Sequence, residues 1–264
     1  MAIDIRPTVR RRISRLSSYA VFIAFVVLLI FAVDWELLRR NFFNLEVAFK
    51  LFPRVFRAAL NTIVYTLIAF GIGLVLAVVF ALMKMSRGPF KYFAVAYIEL
   101  FRGLPALLTI FIMAFAVPIA LGGRRLPGGT IGAGLFGLVL VTSAYTAEII
   151  RAGIVAVPKG QTEAARSLGM SSLRTTITVV LPQAFRIVIP PLTNEIVLLL
   201  KDTSLLYIAG ATIESRELTM FGTHGLSYYA NSTPLVVVAV FYLIITIPLT
   251  YLVARLEKRM AVKQ

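Results

Sequence analysis

Between Thr193 and Leu206 the chain reads "TNEIVLLLKDTSLL", a charged cluster in a greasy setting. Glu195 and Asp202 are seven residues apart, two turns of helix, and so fall on one face. Lys201 sets a cation beside them, and Asn194, Thr203 and Ser204 add neutral donors and acceptors. Such a cluster offers acceptors for a cation and donors for an anion, so these six residues are expected to line a polar path through the protein, with a structural polar network as the alternative. Pro190 and Pro191 stand just before it and are expected to unwind the helix there, exposing backbone groups.

Two further charge pairs have helical i, i+3 spacing: Glu99 with Arg102 and Glu148 with Arg151. A charged side chain at the bilayer centre costs roughly 2.5–3.5 kcal/mol on insertion scales, so it needs a partner or a wet cavity. These pairs are expected to be structural or gating ion pairs near the cytoplasmic end of the bundle. His224 is the one histidine and cysteine is absent, which leaves no metal site and no thiolate chemistry. His224 is expected in an exterior loop.

The elements that must carry these residues follow from composition. Of 264 residues, 59% are hydrophobic and 15% charged. Soluble domains are nearer half apolar and a quarter charged. The expectation is an all-α, polytopic membrane bundle of about six spans, each of roughly 20 apolar residues. The stretches between charges place them at 16–33, 58–83, 103–123, 126–147, about 179–200 and about 234–254. The first could be a signal peptide, but "VDWELLRRNFF" follows it instead of a small-residue cleavage site, so a retained span is expected.

The net charge is +15. In a membrane protein that needs no nucleic acid. With both termini inside, about twice as many Lys and Arg fall in cytoplasmic segments as in exterior ones, in accord with the positive-inside rule. Residues 34–57 mix Trp35, Phe42 and Phe43 with both signs of charge, as a helix at the membrane surface would. Gly71, Gly73, Gly128 and Gly132 are expected to mark close helix packing.

One polar segment breaks the hydrophobic pattern: "GQTEAARSLGMSSLRTTITVVLPQA", Gly160 to Ala184. Gln161–Leu168 has good helix formers, with Ala164, Ala165 and Leu168 on one side. Gly169 suits a left-handed position after the helix, and Ser171 or Ser172 can cap a second short helix. The expectation is two short helices joined at a glycine on the cytoplasmic face, their small residues suited to docking against another protein.

"EAARSLG" followed by "LP" resembles the EAA loop of ABC-importer permease subunits. "AALNTIVYTL", "YIELFRGLPALL", "AYTAEIIRAGI", "GQTEAARSLGM", "LPQAFRIVIPPLTNEI" and "LKDTSLL" occur in order and resemble the polar amino acid subfamily, the histidine, glutamine, glutamate and arginine permeases. The likeness covers about residues 55–256. It implies a five-helix type I importer core over 58–256, preceded by an extra span and interfacial linker in 1–57 and followed by a basic tail, 257–264. It implies coupling helices at about 160–178, with Glu163, Ala164, Ala165, Leu168 and Gly169 engaging a cytoplasmic ABC ATPase dimer. It implies a second permease subunit, itself or a paralogue, an extracytoplasmic substrate-binding protein, and a bacterial inner-membrane location. No G-x-x-x-x-G-K-[ST] sequence occurs, so ATP is expected to be bound and hydrolysed by the partner, with no cofactor and no enzyme activity here. The extra span and the paired Arg124 and Arg125 fall outside the likeness. Two rivals stand beside this reading: an ion-coupled carrier protonated at Glu195 or Asp202, and a non-transporting scaffold or sensor.

Overall fold

The computed structural model describes residues 7–261 except Arg125 and Ala211, with side chains described from Ser18 to Met260. The outermost parts of both basic tails and Arg125 therefore lie outside the described residues. Every regular element described is helical.

The first helix, α1 (Pro7–Ala32), is exposed on every face from Ser18 to Ala32. Its described side chains, Ser18–Ala32, form an apolar helical stretch. Asp34 then caps the short amphipathic α2 (Trp35–Phe42), its carboxylate accepting the Leu37 N–H at 2.9 Å. Asn44 repeats the device for α3 (Leu45–Met85), accepting the Val47 N–H at 3.2 Å. Because that cap lies so early, α3 starts well before Ala58, where the charge pattern sets the second span. The segment 45–57 is its first few turns and not a separate surface helix; the surface-type helix is α2. Hydrogen bonds tie this region to the turn before the last helix: Asn231 Nδ2 to Arg40 O, 2.7 Å, and Ser232 N to Asn41 O, 2.7 Å.

After the Gly88 turn come α4 (Pro89–Gly103), α5 (Ala106–Phe111), a π-helical turn (Ile112–Ala116) and α6 (Val117–Ala120). The sequence suggests one straight span over 103–123. The structure has a pair of helical arms bent by 105° at Leu104–Pro105. Leu104 is extended, at φ −88° and ψ 140°, as the residue before a proline prefers. Next come α7 (Gly129–Val155), α8 (Lys159–Ser167), α9 (Ser172–Thr175), a second π turn (Thr176–Val180) and α10 (Leu181–Asp202). Each π turn is followed within two residues by a proline, Pro118 or Pro182, whose missing N–H disturbs the ladder. A 3₁₀ segment (Thr203–Ala209), α11 (Leu218–Tyr229) and α12 (Thr233–Ala261) complete the chain. His224 lies exposed on helical α11, not in a loop.

Among the described residues four helical stretches are long and apolar enough to cross a membrane, five when the bent pair is counted as one span. The all-α polytopic class stands.

The bundle's axis is the α3–α7 pair. Ala69, Gly73, Ala77 and Ala81 recur every fourth residue on α3 and are all buried. Such a stripe lets two backbones approach in lipid, where packing rather than water exclusion holds helices together. A Cβ on Gly73 would lie 3.2 Å from Thr142 Cγ2, while Gly71 has open space beside it. The glycines of α7 that pack against other helices are Gly134, Gly137 and Gly153, not Gly128 and Gly132. Gly128 lies outside the helix at φ +78°, and Gly132 packs on the carbonyl of Pro127 within its own turn. Apolar clusters fill the bundle along its length: Leu51, Val55, Phe221 and Phe241 form one, Ile110, Leu138 and Leu199 a second, and Ala77, Ile98 and Ala147 a third.

Candidate functional site: an exposed polar cassette and a charged helix end

The cassette folds as two helices about a glycine. Gly169 has φ +83°, a conformation that costs a residue with a Cβ roughly 1–2 kcal/mol. Its N–H bonds Arg166 O at 3.0 Å and the Met170 N–H bonds Ala165 O at 3.2 Å, the paired closure of a Schellman motif. Arg166 Nη1 also donates to Met170 O at 2.7 Å. Ser171 caps α9, its hydroxyl accepting the Arg174 N–H at 3.3 Å. Glu163, Ala164 and Leu168 face outward; Leu168 is 85% exposed and Leu173 71%. Ala165 differs from expectation. It is buried, because successive helix positions are about 100° apart and its side turns toward the π turn that follows. Glu163 is the fifth residue of α8, beyond its first turn. The outward surface is thus Glu163, Ala164 and Leu168, with Leu173 added.

Beside the cassette's roots, charges knit three helices together. Arg151 grips Glu148 through Nη2, 2.5 Å, and Nε, 3.0 Å. Lys84, at the end of α3, reaches Glu148 Oε2 at 3.0 Å and Glu99 Oε1 at 3.7 Å. Glu99 therefore pairs across helices and not with Arg102. Arg102 instead lies over the Tyr145 ring, 5.6 Å from its centroid, while Tyr145 Oη donates to Arg102 O at 3.3 Å. Lys84 reads from the sequence only as a loop charge, since nothing along the chain links it to a residue 64 positions on.

The charged cluster lies on α10 and its continuation. α10 runs unbroken through Pro190 and Pro191, contrary to the expected unwinding. The Thr193 hydroxyl bonds back to Pro190 O, 2.7 Å, within the same turn. The helix changes only at Thr203, where it tightens to 3₁₀. Asn194, Lys201 and Asp202 are exposed, Glu195 and Ser204 half-buried, and Thr203 fully buried. Among the described residues no ion pair involves Glu195, Lys201 or Asp202. An apolar groove of about 400 Å³ runs between α3, α10 and α12, lined by Ile63, Leu67, Ile196, Leu200 and Pro248 among others. The charged side chains are not part of it. Among the described residues no group of three or more His, Cys, Asp or Glu could hold a metal ion.

Comparison with known proteins places this arrangement. The family described as "Binding-protein-dependent transport system inner membrane component" matches residues 69–262. The chain is 37% identical over 226 residues to the probable glutamine ABC transporter permease protein GlnM of Bacillus subtilis, covering 82% of this chain and 98% of that one. It is 35% identical over 225 residues to the arginine transport system permease protein ArgU of Corynebacterium glutamicum, 81% and 68% covered respectively. A solved structure described as an amino acid ABC transporter with histidines superposes with a TM-score of 0.72 at 34% identity, over 80% of this chain and 95% of that one. The matched region contains α7 to α12 with the cassette and the α10 cluster, and the chain belongs to the binding-protein-dependent transport system inner membrane components, the permease subunits of ABC importers.

Proposed function

We propose that the chain is the pathway-forming permease of an importer for polar amino acids in a bacterial inner membrane, with both termini in the cytoplasm. Two such subunits, identical or paralogous, face each other. An extracytoplasmic receptor delivers the amino acid, and a cytoplasmic ATPase dimer binds and hydrolyses ATP. Residues 58–256 form the working core, with the first turns of α3 packed onto it through Leu51 and Val55 and with α1 and α2 outside it.

The observation that carries this reading is the flank of α10. Asn194, Lys201 and Asp202 are uncovered on a helix otherwise apolar enough to cross a membrane. Each charge set against lipid would cost roughly 2.5–3.5 kcal/mol near the bilayer centre, more than a single neutral hydrogen bond returns. That flank is relieved only by a second protein surface or by a wet passage, and a paired permease supplies both. Glu195 and Asp202 then accept from the substrate ammonium group, Lys201 donates to its carboxylate, and Asn194, Thr203 and Ser204 complete the polar lining. At the other end, Glu163, Ala164, Leu168 and Gly169 engage the ATPase, with Ala165 fixing the cassette from within. Alternating access follows from two packings of one bundle, favoured in turn by nucleotide states of the motor.

The test uses the complete complex in proteoliposomes. Asp202→Asn is expected to lower receptor-dependent amino acid uptake at least tenfold while the complex still assembles; uptake at the wild-type rate would remove Asp202 from the path. Glu163→Lys with Gly169→Val is expected to release the ATPase from a permease that still inserts. Uptake by the purified chain alone, without ATPase or ATP, would favour the ion-coupled carrier instead.

A further inference from the structure

The apolar groove between α3, α10 and α12 continues past its apolar lining. Leu252 borders it and also borders a second hollow of about 170 Å³, lined by Arg255, Leu256 and Arg259. On α12 the residues Ile245, Leu249, Leu252, Leu256 and Arg259 are spaced four, three, four and three apart, one face of a helix. Arg255 borders that face one turn before Arg259. At about 1.5 Å of rise per residue, Ile245 to Arg255 spans about 15 Å, half the hydrocarbon core of a bilayer. Thr66, the one polar residue lining the apolar part, gives its hydroxyl to Thr62 O at 2.8 Å. The trough is thus apolar over the depth of one leaflet and cationic at its rim.

Both arginines are exposed and, among the described residues, no ion pair involves either. Cations four apart on a helix repel, so an anion between them stabilises the end of α12. Glu257 does not supply it: it stands two positions from each arginine, about 200° around the helix. Guanidinium groups offer paired N–H donors that match the oxygens of a phosphate. The direction the groove faces follows from α10. Ile196 and Leu200 line it, whereas Asn194, Glu195, Lys201 and Asp202 are centred about half a turn away. A polar flank turned toward a second permease leaves the groove turned toward lipid.

We propose that this trough binds an anionic phospholipid, one acyl chain lying between α3, α10 and α12 and the phosphodiester held between Arg255 and Arg259. A free anion would use the arginines and not the groove; a lipid uses both. The proposal rests on the reading that the α10 flank, and not the groove, meets the second permease.

The experiment uses the assembled complex, delipidated in detergent, with palmitoyl-oleoyl phosphatidylglycerol and the matching phosphatidylcholine as probes. Native mass spectrometry reads the bound lipid. Phosphatidylglycerol is expected to bind about tenfold more tightly or better. A basic side chain beside an anionic lipid is worth about fivefold in affinity, so Arg255→Gln and Arg259→Gln are each expected to weaken phosphatidylglycerol about fivefold and to leave phosphatidylcholine unchanged. Lys258→Gln removes an equal charge outside the trough and is expected to change less than twofold. Leu249→Trp fills the groove and is expected to weaken both lipids. Equal affinity for the two lipids, an effect of Lys258→Gln as large as that of Arg259→Gln, or displacement of the lipid by glycerol phosphate overturns the proposal. So does a preference present in the isolated permease and lost in the complex, which would give the arginines to the ATPase. The chain has no cysteine, so Leu249→Cys and Asn194→Cys can each carry a single nitroxide attached before assembly. In nanodiscs, oxygen dissolved in the bilayer is expected to reach the label at position 249 and not the one at position 194. Shielding at 249 places a protein over the groove and overturns the proposal. Oxygen at 194 overturns the reading of the α10 flank and takes the proposal with it. The expected labelling without a preference for phosphatidylglycerol removes the lipid site alone.

Discussion

Lys84 Nζ stands 3.0 Å from Glu148 Oε2, joining the C-terminal end of α3 to α7 across 64 positions of sequence. Both side chains are mostly shielded, at 16% and 21% exposure, and Arg151 holds the other side of the carboxylate. The arrangement places two cations on one acid. Removing the acid is therefore worse than removing either cation. Glu148→Gln is expected to lower stability by about 1.5–3 kcal/mol, the range for hydrogen bonds to charged groups, and Lys84→Met by less. Thermal unfolding in detergent checks the order. Equal shifts would mean that Glu148 is not the shared node.

Gly137 is a second point where the bundle tolerates little. A Cβ there would lie 3.1 Å from Ile110 Cα and 3.3 Å from Thr109 O, both backbone atoms that cannot rotate away. Gly137→Ala is expected to cost about 1–3 kcal/mol by forcing α5 off α7. Gly71→Ala, with open space beside it, is expected to be neutral or slightly stabilising. Paired melting curves of the two variants test the contrast.

Leu168 offers the opposite case, a large apolar side chain that is 85% exposed. Burying a Leu side chain is worth about 1.5–3 kcal/mol, so its loss should matter only where a partner covers it. Leu168→Ala is expected to leave the melting point of the isolated permease unchanged and to weaken ATPase binding about tenfold or more. Titration of the ATPase onto nanodisc-held permease reads the difference. Unchanged affinity would set Leu168 outside the contact.

Asn61 secures the loop before α11. Its amide donates to Glu214 O at 2.8 Å and Arg216 O at 2.9 Å, and Tyr65 Oη donates to Ser215 O at 2.9 Å. Asn61→Ala is expected to speed proteolysis within 212–217 and to cost about 1–2 kcal/mol, one neutral bond per carbonyl released. Acid should loosen the same loop. The Glu214 carboxyl is held below the usual carboxylate range by its own backbone N–H and then by the Thr212 hydroxyl. A depressed acid stabilises above its unfolded value and loses that contribution as pH falls through the folded one. Amide exchange in this loop at neutral and acidic pH follows the effect, which Glu214→Gln should abolish.

The parts of this protein that follow local rules are legible in the sequence. Gly169 and Ser171 announce the turn and cap of the cassette, because a left-handed glycine and a serine cap are each decided within a few residues. The apolar runs point to the all-α membrane class for the same reason. The run read as a span from 103 covers only the second arm of the 105° bend at Leu104–Pro105; the first arm, Pro89–Gly103, carries Lys91, Glu99 and Arg102 and so escapes a reading that looks for uncharged stretches. Pro190 and Pro191 mislead in the other sense, since a helix flanked by packed neighbours can carry prolines that an isolated one would not. Ala165 falls on the docking face only while its inner neighbours are unknown; the fold turns it inward. Lys84 is silent, and so are Tyr242 and Glu217, whose side chains hydrogen-bond each other. Their partners lie 64, 25 and 25 residues away, and no spacing rule joins charges or hydroxyls on different helices.

The stripe of Ala69, Gly73, Ala77 and Ala81 has a mechanical consequence. Two backbones pressed this closely by side chains of one carbon or none cannot slide without meeting the next residue's bulk. Helices α3 and α7 therefore travel together as one strut. Whatever shape change a transport cycle demands must be absorbed at the joints around it: the elbow before Pro105, the widened turns ahead of Pro118 and Pro182, and the glycine knuckle at position 169.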